Sequence, residues 1–307
     1  MSLQDNTIAY QVSFHRWGIE RKIKPGILSS LLPEERNLVE SKMLSASKKI
    51  IQSDEYNTIV SQDGFAARWL AERAVPSILK KGVYLIPVAF VDQVNERMES
   101  YKFERQEVLV PAFLAVYSDQ AYAAREMFYL TTGGSQLFDS LEYPTVEKMA
   151  TLFSLETSYI SFDVPSQLQH VSEELFRREK ERVEAAWQTA EEAINQLLIQ
   201  ECAELVEGLQ TALKGLNDGT LKKFRDANVE NLREWSQLFL QARNVTNNEE
   251  LAEVVRCIQS TLAGVQRDDL KHDRSSLRQF VQGALSQAQI ELKGMLEVQP
   301  ERMIQFE

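Results

Sequence analysis

The chain has 307 residues, 44% of them hydrophobic and 26% charged, a balance that excludes a disordered or fibrous polypeptide and is enough for one large domain or two modest ones. Its formal net charge is −11, and the acidic excess is larger after Pro165 than before it, which argues against unspecific nucleic-acid binding through the C-terminal half. The two cysteines, Cys202 and Cys257, both stand in helix-like text and predict a reducing compartment with two small apolar core residues. The opening MSLQDNTIAYQV lacks a basic segment followed by an apolar run, and no stretch approaches the roughly 20 apolar residues of a spanning helix. A cytoplasmic protein with no membrane partner is expected.

Taken in chain order, the first element is TIAYQVSF, Thr7–Phe14, which alternates Ile8, Tyr10, Val12 and Phe14 with the period of a half-buried strand. A similar run, Tyr159, Ile160 and Phe162, ends at Pro165. These two segments, about 7–14 and 157–164, are expected to pair as a small ribbon lying against helices, since a lone ribbon is marginal in water. Between them the text reads as helix. LLPEERNLVESKMLSASKKIIQ carries a stripe through Leu38, Met43, Leu44 and Ile50 behind Pro33, and TIVSQDGFAARWLAERA follows, weakened by Gly64. Gly82 marks a turn, Val83–Ile86 a strand-like bridge, and a helix after Pro87 presents Phe90, Val94, Met98 and Tyr101. FLAVYSDQAYAAREMFYLTT is a further helix, and Gly133–Ser135 ends it.

From Ser166 to about Leu216 there is no proline, so one helix of roughly 45 residues is predicted. Its seam runs through Ala186, Ala190, Ile194, Leu197, Leu205, Leu209 and Leu213, whereas RREKERVE nearly loses the stripe and is expected to project or cross polar surface. After GLNDGT come helices through Phe224, Leu232, Trp235 and Phe239, then Leu251, Val255, Ile258 and Leu262, then Leu277, Phe280, Val281, Ala284, Ala288, Leu292 and Met295. The fold class expected is α+β and predominantly α-helical: residues 1–165 as a helical domain closed by paired strands, and 166–307 as a long-helix antiparallel bundle.

The text carries little that points to chemistry. His15, His170 and His272 are far apart and none makes a ligand-spaced pair. Asp268–Ser276 gathers Asp268, Asp269, His272 and Asp273 but reads as a capped interhelical loop, without the Gly and terminal Glu of a calcium site. Gly133-Gly134-Ser135 lacks a following Lys-Ser/Thr, and neither a nucleophile elbow nor a Cys–His motif occurs. No catalytic residue, metal or cofactor is therefore expected. The stretch SFHRWGIERKIK stands out. Arg16, Trp17, Arg21, Lys22 and Lys24 fall in a turn where cations and an aromatic ring can project together. Such a group suits a nucleic-acid phosphate and base or a protein partner. In the plainer reading Trp17 is buried and the cations pair with neighbouring acids. Arg177 and Arg178, at the polar start of the long helix, complete the candidate contact residues.

The pattern VSFHRWGIERKI, together with SASKKII at Ser45–Ile51, GVYLIPVAFVDQVNERM at Gly82–Met98 and a later helix with Phe113 and Tyr117, resembles an uncharacterised family of phages, plasmids and integrative elements. The resemblance covers about residues 1–165. It departs at Gly18-Ile19, where a small hydroxyl residue and Gly or Ala would be expected. Members are thought to be encoded beside a MoxR-type AAA+ ATPase and a von Willebrand A-domain protein, and no activity is assigned to them. The resemblance thus implies a non-enzymatic adaptor or target-recognition subunit with those two proteins as partners. The rival expectations are a DNA-associated accessory protein of a mobile element, and a self-assembling phage structural protein that uses the long helix as a homo-oligomeric seam.

Overall fold

Thr7–His15, rich in β-branched and aromatic residues, forms a strand, β1, after a one-turn helix, α1 (Leu3–Asn6), that Ser2 and Asp5 close with a capping box. The computed structural model describes residues 2–24, 27, 46–77, 79–132, 137–214, 227–265, 270 and 276–297. β1 pairs antiparallel with β5 (Val83–Pro87), Thr7 opposite Pro87 and Gln11 opposite Val83. β5 also pairs with the short β4 (Val75–Pro76). On its other side β1 neighbours β6 (Ser154–Ile160). The expected pairing of the first and last strands is therefore present, with the last strand displaced to Ser154–Ile160 so that Phe162 falls outside it, and as part of a four-stranded antiparallel sheet in the order β4-β5-β1-β6. The second pairing partner is the Val83–Ile86 segment. Its continuous apolar text suits a strand covered on both faces. Gly82 enters that strand at φ 76°, a left-handed turn geometry that a side chain would strain.

A second, two-stranded sheet joins β2 (Glu20–Lys22) to β3 (Ser47–Lys49). β3 overturns part of a helix expectation: SASKKIIQ closes that predicted helix, yet Ser47–Lys49 is extended and Ile50 and Ile51 are buried. Cross-strand bonds from β2 and the seating of two adjacent β-branched residues outweigh the helical spacing. The rest of that predicted helix, with Leu38, Met43 and Leu44, lies outside the described residues, as do Gly133–Ser135, GLNDGT, Phe224 and most of Asp268–Ser276.

The helices follow the predicted stripes. α2 (Asp54–Arg73) and α3 (Val91–Glu104) are regular, and Phe90, Val94, Met98 and Tyr101 are all buried. A single π-helical segment, Arg105–Leu109, links α3 to α4 (Val110–Thr132), and the short α5 (Val146–Ala150) follows. After α6 (Gln167–Val171), the 42-residue α7 runs Glu173–Lys214. α8 (Ala227–Leu238) passes into a second π-helical segment, Phe239–Arg243. Then come α9 (Glu249–Leu262), capped by the Asn248 side chain on Leu251 N at 3.0 Å, and α10 (Ser276–Glu297).

Contacts divide the chain into two interleaved units: residues 1–11, 70–92 and 159–307, and residues 12–69 and 93–158. A sequential split at Pro165 was expected. The difference arises because Leu3, Ala9, Val75, Val83 and Leu85 belong to one apolar cluster with α7 to α10, so the chain changes unit within β1, α2, α3 and β6. In that first unit the buried line of α7 is Ala190, Ile194, Leu198, Cys202, Val206, Leu209 and Leu213. Leu197 and Leu205 are only half-buried, one position off the core-facing line. Two further expectations are corrected. Phe280 is exposed, with Val281 carrying the burial instead, and Cys257 is exposed on the outer side of α9, while Cys202 is buried. Both thiols are free, and burial pushes that of Cys202 up to about 12. No helix among the described residues is long and apolar enough to cross a membrane.

Candidate functional site: a cation-lined cleft beside a buried tryptophan

The second unit has its own core of Trp17, Ile50, Ile51, Tyr56, Ile59, Val110, Phe113, Tyr117, Met149 and Phe153. Trp17 is 5% exposed. Its ring meets Tyr117 edge-on at 5.7 Å, a favoured aromatic geometry, and its carbonyl accepts the Tyr56 hydroxyl at 2.6 Å. The plainer reading of this residue is the one found. An indole held inside an aromatic core cannot stack on a base or enter a partner's pocket, so Trp17 leaves the set of contact residues.

Two of the cations beside it serve the fold in the same way. Arg21 lays its guanidinium 5.9 Å from the Trp17 ring centre and donates to the carbonyls of Gly18 at 2.7 Å and Glu20 at 3.0 Å. Arg16 reaches Asp63 at 3.3 Å. That carboxylate is the centre of a buried polar group that sequence reasoning missed. Asp63 and Arg105 are 3% and 2% exposed and pair at 2.8 Å. Tyr101 donates to the same carboxylate at 2.7 Å, and Arg105 also donates to the His15 carbonyl at 2.8 Å. Burial, then the bond to Asp63, raises the Tyr101 phenol well above its ordinary range. A signal was present in the text. Asp63 continues the Tyr56–Ile59 stripe of α2 towards Ala66 and Leu70, and Arg105 continues Val94–Met98–Tyr101 on α3. Opposite charges on two apolar stripes mark a buried pair.

Lys22 and Lys24 behave differently. Both are exposed, and both line a cleft of about 520 Å³ with Lys48, Arg125, Tyr129 and Phe138. Among the described residues it is built by the β2–β3 ribbon with the residues that follow β2, the C-terminal part of α4 and the turn around Asp139–Glu142. Lys48, brought opposite Arg21 by the ribbon register, is pinned to Glu142 at 2.6 Å and to the Leu137 carbonyl. Asp139 accepts the Leu141 N–H at 3.0 Å as the cap of a short 3-10 turn. Behind the cleft, Tyr143 donates to the Ile50 carbonyl at 2.7 Å and stacks on Phe138 at 5.1 Å; burial pushes its phenol up to about 12. Arg177 and Arg178 stand in the other unit, exposed on α7. Arg177 pairs with Glu181 at 3.7 Å.

Among the described residues no three of His, Cys, Asp and Glu gather closely enough to hold a metal ion. His15 is half exposed, with Glu156 3.9 Å away. No family model matches the sequence, and neither a curated protein nor a solved structure is significantly similar to it.

Proposed function

We propose that the chain is a recognition subunit of a phage or mobile element, a non-enzymatic adaptor that offers helical surface to a MoxR-type AAA+ ATPase and its von Willebrand A-domain companion. The resemblance of VSFHRWGIERKI and Gly82–Met98 to the family described above supplies the identity of the partners. The structural observation that supports an adaptor is the first part of α7. Glu173–Ala186 contains no buried side chain, although Trp187 packs on the core and the same helix is core from Ala190 onward. Short helices are marginal in water without an apolar face to bury, so these turns rest on their continuity with the core-packed half and on surface pairs such as Arg177–Glu181 and Lys180–Glu184. Exposed Leu175 and Val171 accompany Arg177 and Arg178, a mixture of apolar and guanidinium groups typical of protein contacts.

The test is affinity capture of the tagged full chain from a host carrying its native neighbourhood. Wild-type protein is expected to recover the ATPase and the von Willebrand A-domain protein, and Arg177→Glu with Arg178→Glu to lose both. Repeated recovery of neither by the wild type overturns the reading.

A further inference from the structure

We propose that the cleft between the β2–β3 ribbon and the end of α4 binds a short segment of single-stranded nucleic acid, about two nucleotides with the phosphates that flank them. Charge is the first observation. In a chain of net charge −11, the described lining of the cleft gathers Lys22, Lys24, Lys48 and Arg125 against Asp139 and Glu142. Both carboxylates are already engaged, Glu142 by Lys48 and Asp139 by a backbone N–H. Lys22, Lys24 and Arg125 therefore have no ion pair among the described residues, and all three are exposed. Three like charges held at one opening repel one another unless an anion lies among them.

The second observation is aromatic. Tyr129, 44% exposed, lines the same cleft, one helical turn after Arg125, whose guanidinium sits 5.9 Å from the ring centre. An exposed ring flanked by cations is the platform on which single-stranded bases stack, while lysines track the phosphates. A volume of about 520 Å³ falls within the range that encloses a small organic ligand. A paired base cannot turn its face to Tyr129, which favours an unpaired strand over a duplex. The ribbon that carries Lys22 is anchored from behind by Trp17 and Arg21, so the site is held rigidly without using those two residues for contact.

This inference is independent of the partner reading above, because the purified chain alone tests it. Fluorescence anisotropy of a labelled oligothymidylate is measured across a salt series, with a duplex, thymidine monophosphate and inorganic phosphate as competitors. Binding is expected with a log–log salt slope near −2, from about 0.7 per phosphate over three cations. Lys22→Ala with Lys24→Ala is expected to flatten that slope by about 1.4. Tyr129→Ala is expected to weaken binding about tenfold while leaving the slope unchanged. Competition by the duplex, the mononucleotide or phosphate is expected only at much higher concentration than by unlabelled strand. Thermal unfolding of each variant, unchanged from wild type, separates lost contact from lost fold. No binding at low salt, binding indifferent to both variants, or equal competition by duplex, mononucleotide or phosphate overturns the proposal.

Discussion

Each of the two units holds a buried arginine against a carboxylate, and the two arrangements differ in how completely they close. In the second unit Asp63 is 3% exposed and receives Arg105, Tyr101 and Arg16. In the first, Arg243 is equally buried but its partner Glu201 keeps 29% of its side chain in solvent. Glu201 accepts the guanidinium at 2.7 and 3.1 Å and the Trp235 N–H at 2.9 Å. Arg243 spends its remaining donors on the carbonyls of Ala71 and Ala74 at the end of α2. Both arginines sit in π-helical segments, Arg105 opening one and Arg243 closing the other. A π turn inserts a residue and re-aims the side chains after it; this bears on Arg243, at the end of its segment, whereas Arg105, at the start of the other, keeps the helical spacing from Tyr101. The contrast teaches that the same device serves two purposes: a dry centre that depends on all of its members, and a wetter clamp that ties two helix ends.

The largest effect should therefore come from Asp63→Ala, which strands Arg105 in the core and is expected to cost about 3–5 kcal/mol in denaturant unfolding. Replacing both partners, Asp63→Leu with Arg105→Met, should recover most of that loss, because the penalty lies in the unpaired charge. Glu201→Ala should cost less, about 1–3 kcal/mol, since water can reach the guanidinium that it leaves behind. Equal losses from Asp63→Ala and Glu201→Ala would erase the distinction between dry and wet centres.

Alkali probes the second unit through its buried phenols, and the first through the Cys202 thiol. Tyr56, Tyr101, Tyr117 and Tyr143 all stand there with raised phenol pKa values, chiefly through burial; Tyr117 and Tyr143 rise to about 12. An unfolded tyrosine ionises near 10. Between that pH and the folded values the unfolded chain has lost protons that the native chain retains. The stabilising contribution is thus complete below about pH 10 and lost as the pH rises towards 12. Urea midpoints are expected to fall most steeply between about pH 10 and 12, with the phenolate absorbance of these four tyrosines appearing only with unfolding, and the Cys202 thiol adds a shallower loss that begins at about pH 9. A smaller effect is expected of Arg21→Ala, about 0.5–1 kcal/mol for a half-buried cation over an indole. Smallest is Arg177→Ala, at most about 0.5 kcal/mol, because its pairing with Glu181 is in solvent.

Much of this architecture was legible from spacing alone. The stripes Phe90–Tyr101 and Leu251–Leu262 are core as read, and the alternation at Thr7–Phe14 is a strand that neighbours the run before Pro165. What escaped was decided by tertiary partners. Ser47–Lys49 is a strand because β2 bonds to it, and Phe280 is exposed because Val281, one step round the helix, faces the bundle. The site was half visible. Lys22 and Lys24 belong to the basic turn that drew attention, but Lys48, Arg125 and Tyr129 come from distant text, and only folding sets them around one cleft. The fate of Trp17 was undecidable from its neighbours in sequence, since Tyr117, Phe113 and Tyr143, which surround or cover it, lie about a hundred residues away.

The basic turn thus splits into residues that hold the fold, Arg16, Trp17 and Arg21, and the exposed Lys22 and Lys24, which the proposed nucleic-acid site would use. One paired measurement tests that division most directly: unfolding midpoints and oligothymidylate affinities for Arg16→Ala/Arg21→Ala and for Lys22→Ala/Lys24→Ala, side by side. The arginine pair should lower stability, and the lysine pair should lose affinity while its midpoint stays at the wild-type value. Lysine variants that unfold early, or that bind as well as the wild type, would contradict it.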